Sequence, residues 1–232
     1  MPSTNRSLFS STARSANSSA LPRWKRVLDL AAIVISSPAW LPVMIFISVW
    51  IKLVSKGPIF FKQERIGFRG QKFLILKFRS MEQHAETESH ESHFASLVKS
   101  DGPMTKLDVK GDRRMISSGW LLRATGLDEL PQLFNVLQGD MSLVGPRPCT
   151  EKELNSYETA QFERFAAFPG LTGYWQINGK NKTSFSRMIE LDVFYARHAC
   201  LRLDLAILLR TIPALLTQVR DTKSDRATPD KP

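Results

Sequence analysis

A chain of 232 residues, 43% of them hydrophobic, has the length and composition of one ordinary globular domain with a real core. Its 32 lysines and arginines exceed its 22 acidic residues, for a formal net charge of +10. That balance suits nucleic acid, anionic headgroups or phosphorylated substrates without choosing among them. Two cysteines, Cys149 and Cys200, with no CxxC spacing, exclude a secreted-type disulfide framework and point to a reducing, cytoplasmic setting.

Residues 1–22 read as a tail; the first 20 are rich in Ser, Thr, Asn and Arg and lack any apolar period. Arg23, Lys25 and Arg26 then lead into residues 30–51, which no charge interrupts. Such a run is long enough to cross a bilayer core of ~30 Å as a helix. With its flanks, the membrane segment covers about residues 27–54. A secretory signal is not expected, because the apolar part is too long and no A-x-A-type site follows it. A spanning helix and a re-entrant segment that returns to its own face both remain open, with a buried core helix behind them. Two features favour the re-entrant form. Ser37-Pro38 falls near the middle, where proline interrupts helical bonding. Both flanks are basic, with Lys52, Lys56, Lys62 and Arg65 on the far side, and the positive-inside rule is met at both ends only if the chain turns back.

Residues 59–65 and 72–79 are β-rich runs around Gly67-Phe68-Arg69-Gly70, a hairpin signal. Lys62, Arg65, Lys77 and Arg79 lie on them, and a solvated strand face is the expected fate of at least two. Residues 82–106 are polar, and His84, His90 and His93 lack zinc spacing, so an acidic helix or loop is preferred to a metal cluster. Asp101-Gly102-Pro103 marks a turn.

The stretch 121–148, LLRATGLDELPQLFNVLQGDMSLVGPRP, is the most informative. Pro131 belongs in the first turn of a helix, where amides have no intrahelical partner, with Asp128 as N-cap, Glu129 in the first turn and Gly139 as the stop. Two adjacent acids at a helix start, with Arg123 and Arg147 on either side, suggest chemistry on a phosphate. A capped helix with solvated charges is the plain alternative. Cys149 makes a poor nucleophile, since no histidine lies near it in sequence.

Residues 151–168 read as one amphipathic helix carrying Leu154, Tyr157, Phe162 and Phe165. After a Pro169-Gly170 break, Tyr174-Trp175-Gln176-Ile177 reads as a short aromatic strand, either packing in the core or facing a base. Residues 185–219 are helical, with Arg197, Arg202 and Arg210 among leucines, as in interfacial helices or a core-facing one. Pro213 is expected to bend or divide this element. Residues 220–232 form a polar tail. There is no P-loop, GxGxxG, HExxH or zinc-finger spacing, which weakens hydrolase and nucleic-acid readings.

Several motifs together make the chain resemble the bacterial sugar transferases of the monotopic phosphoglycosyl transferase class, over residues 23–219. These are KRVLDL with Ser37-Pro38, GPIFFKQERIG, LKFRSM, LDELPQLFNVLQGDMSLVGPRP, PGLTGYWQINGK and LDVFYARHACLRLDLAILLRTI. The resemblance implies an α/β fold, mostly α-helical with a small β-hairpin, in which a re-entrant membrane helix and amphipathic interfacial helices surround a compact catalytic core. It implies that Ser37-Pro38 breaks the re-entrant helix, and that the protein sits in the bacterial inner membrane with its catalytic domain on the cytoplasmic face. It further implies transfer of sugar-1-phosphate from a UDP-sugar to polyprenol phosphate, with release of UMP. Asp128 and Glu129 would be the catalytic dyad and the Mg²⁺ ligands, with Asp128 the covalent nucleophile. Arg123, Arg147 and Lys77 would hold phosphates. Gly126 departs from the serine often found there. The chain also resembles the minimal catalytic unit, without the spanning helices of larger members. A non-catalytic membrane adaptor is the alternative; a nucleic-acid partner is not expected, and self-association is left open.

Overall fold

The computed structural model describes residues 21–82, 96, 100–103 and 114–227; the expected tail at 1–20 and the histidines at 84, 90 and 93 lie outside them. Helix α1, Arg23–Val54, runs through both Pro38 and Pro42. Its buried residues, Lys25, Asp29, Ile33, Met44, Ile47 and Ile51, recur on one helical face. Much of the opposite face is apolar yet exposed, including Val34, Ile35, Ile45, Phe46 and Leu53. Only 17% of the most apolar window is buried, which disfavours a soluble core helix.

Pro38 cannot donate to the Val34 carbonyl four residues back. The hydroxyl of Ser37 donates to it instead, at 2.8 Å. Beside it, Ser36 Oγ donates to the Ala32 carbonyl at 2.6 Å and Trp40 Nε1 to that of Ile33 at 3.0 Å. Side chains thus serve the carbonyls of the interrupted turn, a requirement wherever water is absent.

Next come an antiparallel hairpin, β1 (Phe60–Ile66) and β2 (Lys72–Phe78), then α2 (Gly119–Thr125), a 3-10 turn (Leu127–Glu129), α3 (Gln132–Gln138) and β3 (Ser142–Val144). The hairpin register runs from Phe60 opposite Phe78 to Ile66 opposite Lys72, within a residue of the expected runs. The remainder is α4 (Glu151–Leu154), a 3-10 run (Thr159–Ala166), β4 (Gly170–Thr172), α5 (Tyr174–Ile177), α6 (Phe185–His198) and α7 (Leu201–Ala227). A fold of mixed helix and strand, dominated by helix, is therefore observed.

Three local expectations are corrected. Residues 151–168 are two pieces, because two start signals compete: Thr150 caps Glu153 N, and a Glu158–Gln161 capping box opens the second run. Tyr174–Ile177 is a helical turn, and the strand is Gly170–Thr172, which pairs in parallel with β3. The C-terminal helices divide at Ala199-Cys200, and α7 continues through Pro213.

The main core draws Ile33 from α1, Ile75 from β2, Val136 from α3, Val144 from β3, Tyr195 from α6 and Ile207 from α7. A second cluster joins Met44, Ile47 and Ile51 to Phe78, Ile116 and Leu122, so both halves of α1 rest on the same body. The first turns of α1 are also bonded to it. Lys25 bonds Asp204 and, at 2.9 Å, the hydroxyl of Tyr195. Arg26 donates to the Val136 and Leu137 carbonyls at the end of α3, where a cation complements the helix dipole. Asp29 accepts from Leu143 N at 3.0 Å and from Ser142 Oγ at 3.1 Å.

Beyond β3, backbone packs on backbone. A Cβ on Gly145 would lie 2.1 Å from the Phe168 carbonyl and 2.8 Å from Gly170 N, so no side chain fits. Gly145→Ala is accordingly expected to destabilise the fold by about 2 kcal/mol. At Gly139, open space leaves only the positive φ to oppose alanine, at about 1 kcal/mol. Thermal unfolding in detergent compares the two, and an equal or smaller drop for Gly145→Ala contradicts the close approach.

Candidate active site

The Asp128–Glu129 pair sits on a turn shaped by its neighbours. Gly126 enters it in the left-handed region, φ 73°, a conformation that L side chains rarely adopt. Glycine in place of serine therefore suits this backbone. The bonds that follow are all i to i+3: Glu129 N to Gly126 O at 3.1 Å, Leu130 N to Leu127 O at 3.2 Å, and Leu133 N to Leu130 O at 3.1 Å. Pro131 has no N–H for the Leu127 carbonyl, so the tighter bond forms instead. Asp128 is therefore not the expected N-cap. It lies inside the 3-10 turn, and Pro131 immediately precedes α3.

Asp128 is only 5% exposed, whereas Glu129 is partly open. The hairpin reaches the pair through Asn135, a buried side chain of α3. Its carboxamide oxygen accepts from Leu76 N at 3.0 Å, and its nitrogen donates to the Leu74 carbonyl at 2.7 Å. This pins β2 along α3, so the next residue, Lys77, meets Glu129 Oε1 at 2.8 Å. Arg123 stands in the last turn of α2, half-buried, just before the dyad turn. A Cβ on Gly119, which opens α2, would lie 2.3 Å from the Ser80 carbonyl, so α2 packs directly on the end of the hairpin.

Arg147 approaches the hairpin at its other end. Ile66 N donates to the Cys149 carbonyl at 2.8 Å and Cys149 N to that of Ile66 at 3.3 Å, fastening the Pro-Arg-Pro turn beside β1. The Arg147 guanidinium forms two bonds with Glu153, at 2.8 and 3.2 Å. Burial pushes the Glu153 carboxyl up, but Arg147 and Arg65 outweigh this and hold it below the usual range. Deeper still, fully buried Arg164 bonds the Arg147 carbonyl at 2.6 Å and pairs with Asp192. Burial lifts Asp192 to about 6, against the pull of Arg164.

Lys77 and the dyad are thus brought into contact, Arg123 adjoins the dyad in sequence, and Arg147 joins a separate ion-pair group at the hairpin tip. Ser37 and Pro38 belong to the long apolar helix α1, apart from these groups. Of the four hairpin cations, Lys62 alone is a solvated strand charge. Lys77 is paired, Arg65 lies under Glu153, and Arg79 is buried against the Ser55 and Lys56 carbonyls. Trp175 is core, and Tyr174 stacks on Phe194 at 5.0 Å, so the packing alternative describes both. Asn135 and Glu153 carry no local signal in the sequence, and Arg65 reads there only as a flanking and hairpin cation. The signal for Arg65 was its two-residue spacing from Gln63, whose partner in the hairpin is the core residue Ile75.

For a divalent cation, the dyad offers two hard carboxylates. Among the described residues no group of three or more His, Cys, Asp or Glu is poised to hold an ion. Two carboxylates fit a magnesium ion that keeps waters and substrate phosphates as its other ligands, and do not form an all-protein cage.

Cys149 is fully buried, and burial pushes its thiol up to about 11, which leaves little thiolate near neutral pH. A maleimide at pH 7 is expected to label exposed Cys200 in the native protein and Cys149 only after unfolding. Rapid native labelling of Cys149 would contradict its burial.

A family profile described as "Bacterial sugar transferase" matches residues 21–218. An exopolysaccharide production protein, ExoY, of Sinorhizobium fredii is 36% identical over 191 residues, covering 82% of this chain and 84% of that protein. A UDP-glucose:undecaprenyl-phosphate glucose-1-phosphate transferase of Caulobacter vibrioides is 39% identical over 201 residues, 83% of this chain and 70% of that protein. An undecaprenyl-phosphate galactose phosphotransferase of Salmonella typhimurium is 36% identical over 199 residues, 83% of this chain and 40% of that protein. With its hairpin lysine on an acidic dyad turn and its apolar first helix, this chain belongs to the bacterial sugar transferase family.

Proposed function

We propose that the protein transfers a sugar-1-phosphate from a UDP-sugar to polyprenol phosphate, releasing UMP, as the first membrane step of exopolysaccharide or related glycan synthesis. The observation that carries this reading is the convergence of Lys77 on the Asp128–Glu129 turn, in a chain whose relatives are named for this kind of transfer.

In the proposed reaction a carboxylate oxygen of Asp128 attacks the β-phosphorus of the UDP-sugar. The bond from that phosphorus to the bridging oxygen breaks, and the oxygen leaves with UMP. A phosphate oxygen of the polyprenol carrier then attacks the same phosphorus and restores the carboxylate. Asp128 needs no base to activate it, because a carboxylate is ionised near neutral pH. Lys77 orients Glu129 through their ion pair, so that Glu129 supports Asp128 from a fixed position. Glu129 then assists metal binding or accepts the acceptor's proton. Asp128 and Glu129 would hold magnesium, which when bound offsets the charge of the diphosphate. Arg123 and Arg147 supply further positive charge for phosphates.

The two ends of α1 support the membrane placement. Lys25 and Asp29 at one end, and Ile47 and Ile51 at the other, pack on the same body, while the outward face is apolar. A straight helix of 32 residues is about 48 Å long, and crossing a bilayer would carry one end ~30 Å away from that body. This supports a re-entrant segment about Ser37-Pro38 with both ends on the cytoplasmic face of the inner membrane. Helix α7 supports an interfacial position, since Leu201, Leu205, Leu209, Ile212 and Leu215 form an exposed apolar stripe.

Purified Asp128→Asn is expected to release no UMP from donor alone, and near wild-type release would refute the nucleophile assignment. Lys77→Met should retain turnover reduced roughly 10²-fold. A screen of UDP-sugars with polyprenol phosphate, following UMP and lipid product together, identifies the sugar. For topology, Arg23→Cys and Lys56→Cys in a Cys200→Ser background should both resist a membrane-impermeant thiol reagent applied to spheroplasts from outside. Labelling of only one refutes the re-entrant arrangement.

A further inference from the structure

The ion-pair group at the hairpin tip carries one cation more than its acids can satisfy. Arg65 lies on the same face of the hairpin as Gln63 and Lys77, since Phe61 is opposite Lys77, Gln63 opposite Ile75 and Arg65 opposite Phe73. Its side chain is 13% exposed. One hydrogen bond holds it, from Nη2 to Gln63 Oε1 at 2.7 Å, while Nε and Nη1 are buried with no hydrogen-bond acceptor among the described residues. The nearest acid, Glu153, lies 3.6 Å from Nη1 and already gives both oxygens to Arg147. Asp192 is taken by Arg164. Two guanidinium groups, Arg65 and Arg147, therefore share the single carboxylate of Glu153.

A buried guanidinium stays charged, and burying it without a full set of acceptors is unfavourable unless a ligand completes the set. The missing partner is an anion. Its position is restricted, because Arg65 follows Lys77 along one strand face and the Ile66–Cys149 pairing sets it beside Arg147. The charge of Glu129 also acts on Arg65, so the unpaired donors lie within the electrostatic reach of the dyad.

We propose that Arg65 is a phosphate-binding residue of the transfer site, which with Arg147 holds one phosphate group of a reactant. The inference rests on the transferase reading for which reactant this is, and on geometry alone for the anion. Glu153 is the positioning residue: it holds both guanidinium groups without neutralising both, leaving a net positive charge to receive the phosphate.

The first test uses inorganic pyrophosphate with the detergent-solubilised full chain and is independent of turnover. Pyrophosphate is expected to raise the unfolding temperature of the wild type, and to raise that of Arg65→Met by less than half as much. Without ligand, Arg65→Met should unfold at or above the wild-type temperature, because an unsatisfied cation has been removed. Equal shifts in both proteins, or no shift in either, overturn the proposal. So does a large loss of stability in unliganded Arg65→Met, which would make Arg65 a structural salt-bridge partner. Arg65→Lys, which keeps the charge, should recover part of the pyrophosphate shift.

Kinetics then assigns the source of the phosphate. A tenfold or greater rise in KM for the UDP-sugar, with slower UMP release from donor alone, assigns the donor diphosphate. The same rise for polyprenol phosphate, with donor-only release unchanged, assigns the acceptor. Unchanged kinetics in Arg65→Met overturn the proposal. A wild type that binds pyrophosphate through Arg65 yet turns over no UDP-sugar would overturn the transferase reading and leave the anion site standing.

Discussion

The buried contact between Lys25 and Asp204 is the constraint from which the remaining geometry follows. Both groups are almost wholly removed from water, and isolated charges there would be strongly unfavourable. They are tolerated because Tyr195 completes the set, accepting from Lys25 at 2.9 Å and lying 2.7 Å from Asp204 Oδ1 and 3.1 Å from the Val144 carbonyl. Four elements distant in sequence, α1, α6, α7 and β3, are thereby held at one point. One turn further along α1, Asp29 binds the same strand, and β3 runs into the Gly145 contact that sets the Pro-Arg-Pro turn. The apolar helix and the arginine of that turn are parts of one rigid assembly.

That assembly gives physical meaning to two outward apolar stripes. In a soluble protein, α1 and the first half of α7 would leave an unfavourably large apolar surface in water. On a bilayer the same surface is an anchor. Ser37 fits this setting, since its hydroxyl satisfies the Val34 carbonyl that Pro38 leaves without an amide donor. The proposed reaction of a soluble nucleotide sugar with a lipid-borne phosphate would use this pairing of an apolar footing with a charged turn. The hairpin, pinned by Asn135 and by Ile66, carries cations along one face from the dyad to the Pro-Arg-Pro turn.

Some of this was legible in the chain. The hairpin, the stop at Gly139 and the long apolar segment come from local chemistry: glycine in tight turns, alternating strand residues and an uninterrupted apolar run. The resemblance likewise rested on contiguous motifs. Where reading failed, competing local signals of similar strength were present. Thr150 and Glu158 both start helices within the segment 151–168, and nothing in the window ranked one over the other. The 3-10 form of the dyad turn depended on Gly126 and Pro131 acting together.

The long-range charges are the clearest division. That Asp128 and Glu129 share a turn, that Arg123 precedes them and that Arg147 follows is written in the chain, because these are relations within one contiguous stretch. Packing between distant elements brings Lys77, 52 residues from Glu129, to its carboxylate, while Arg79, just past the end of the same strand, is consumed by helix-end carbonyls. It also decided that Arg65 and Arg147 contend for one glutamate. Alternation along a strand shows which side chains share a face, but not which face is buried or what acid waits there. That depends on packing between elements, where burial strengthens each charge and limits its partners.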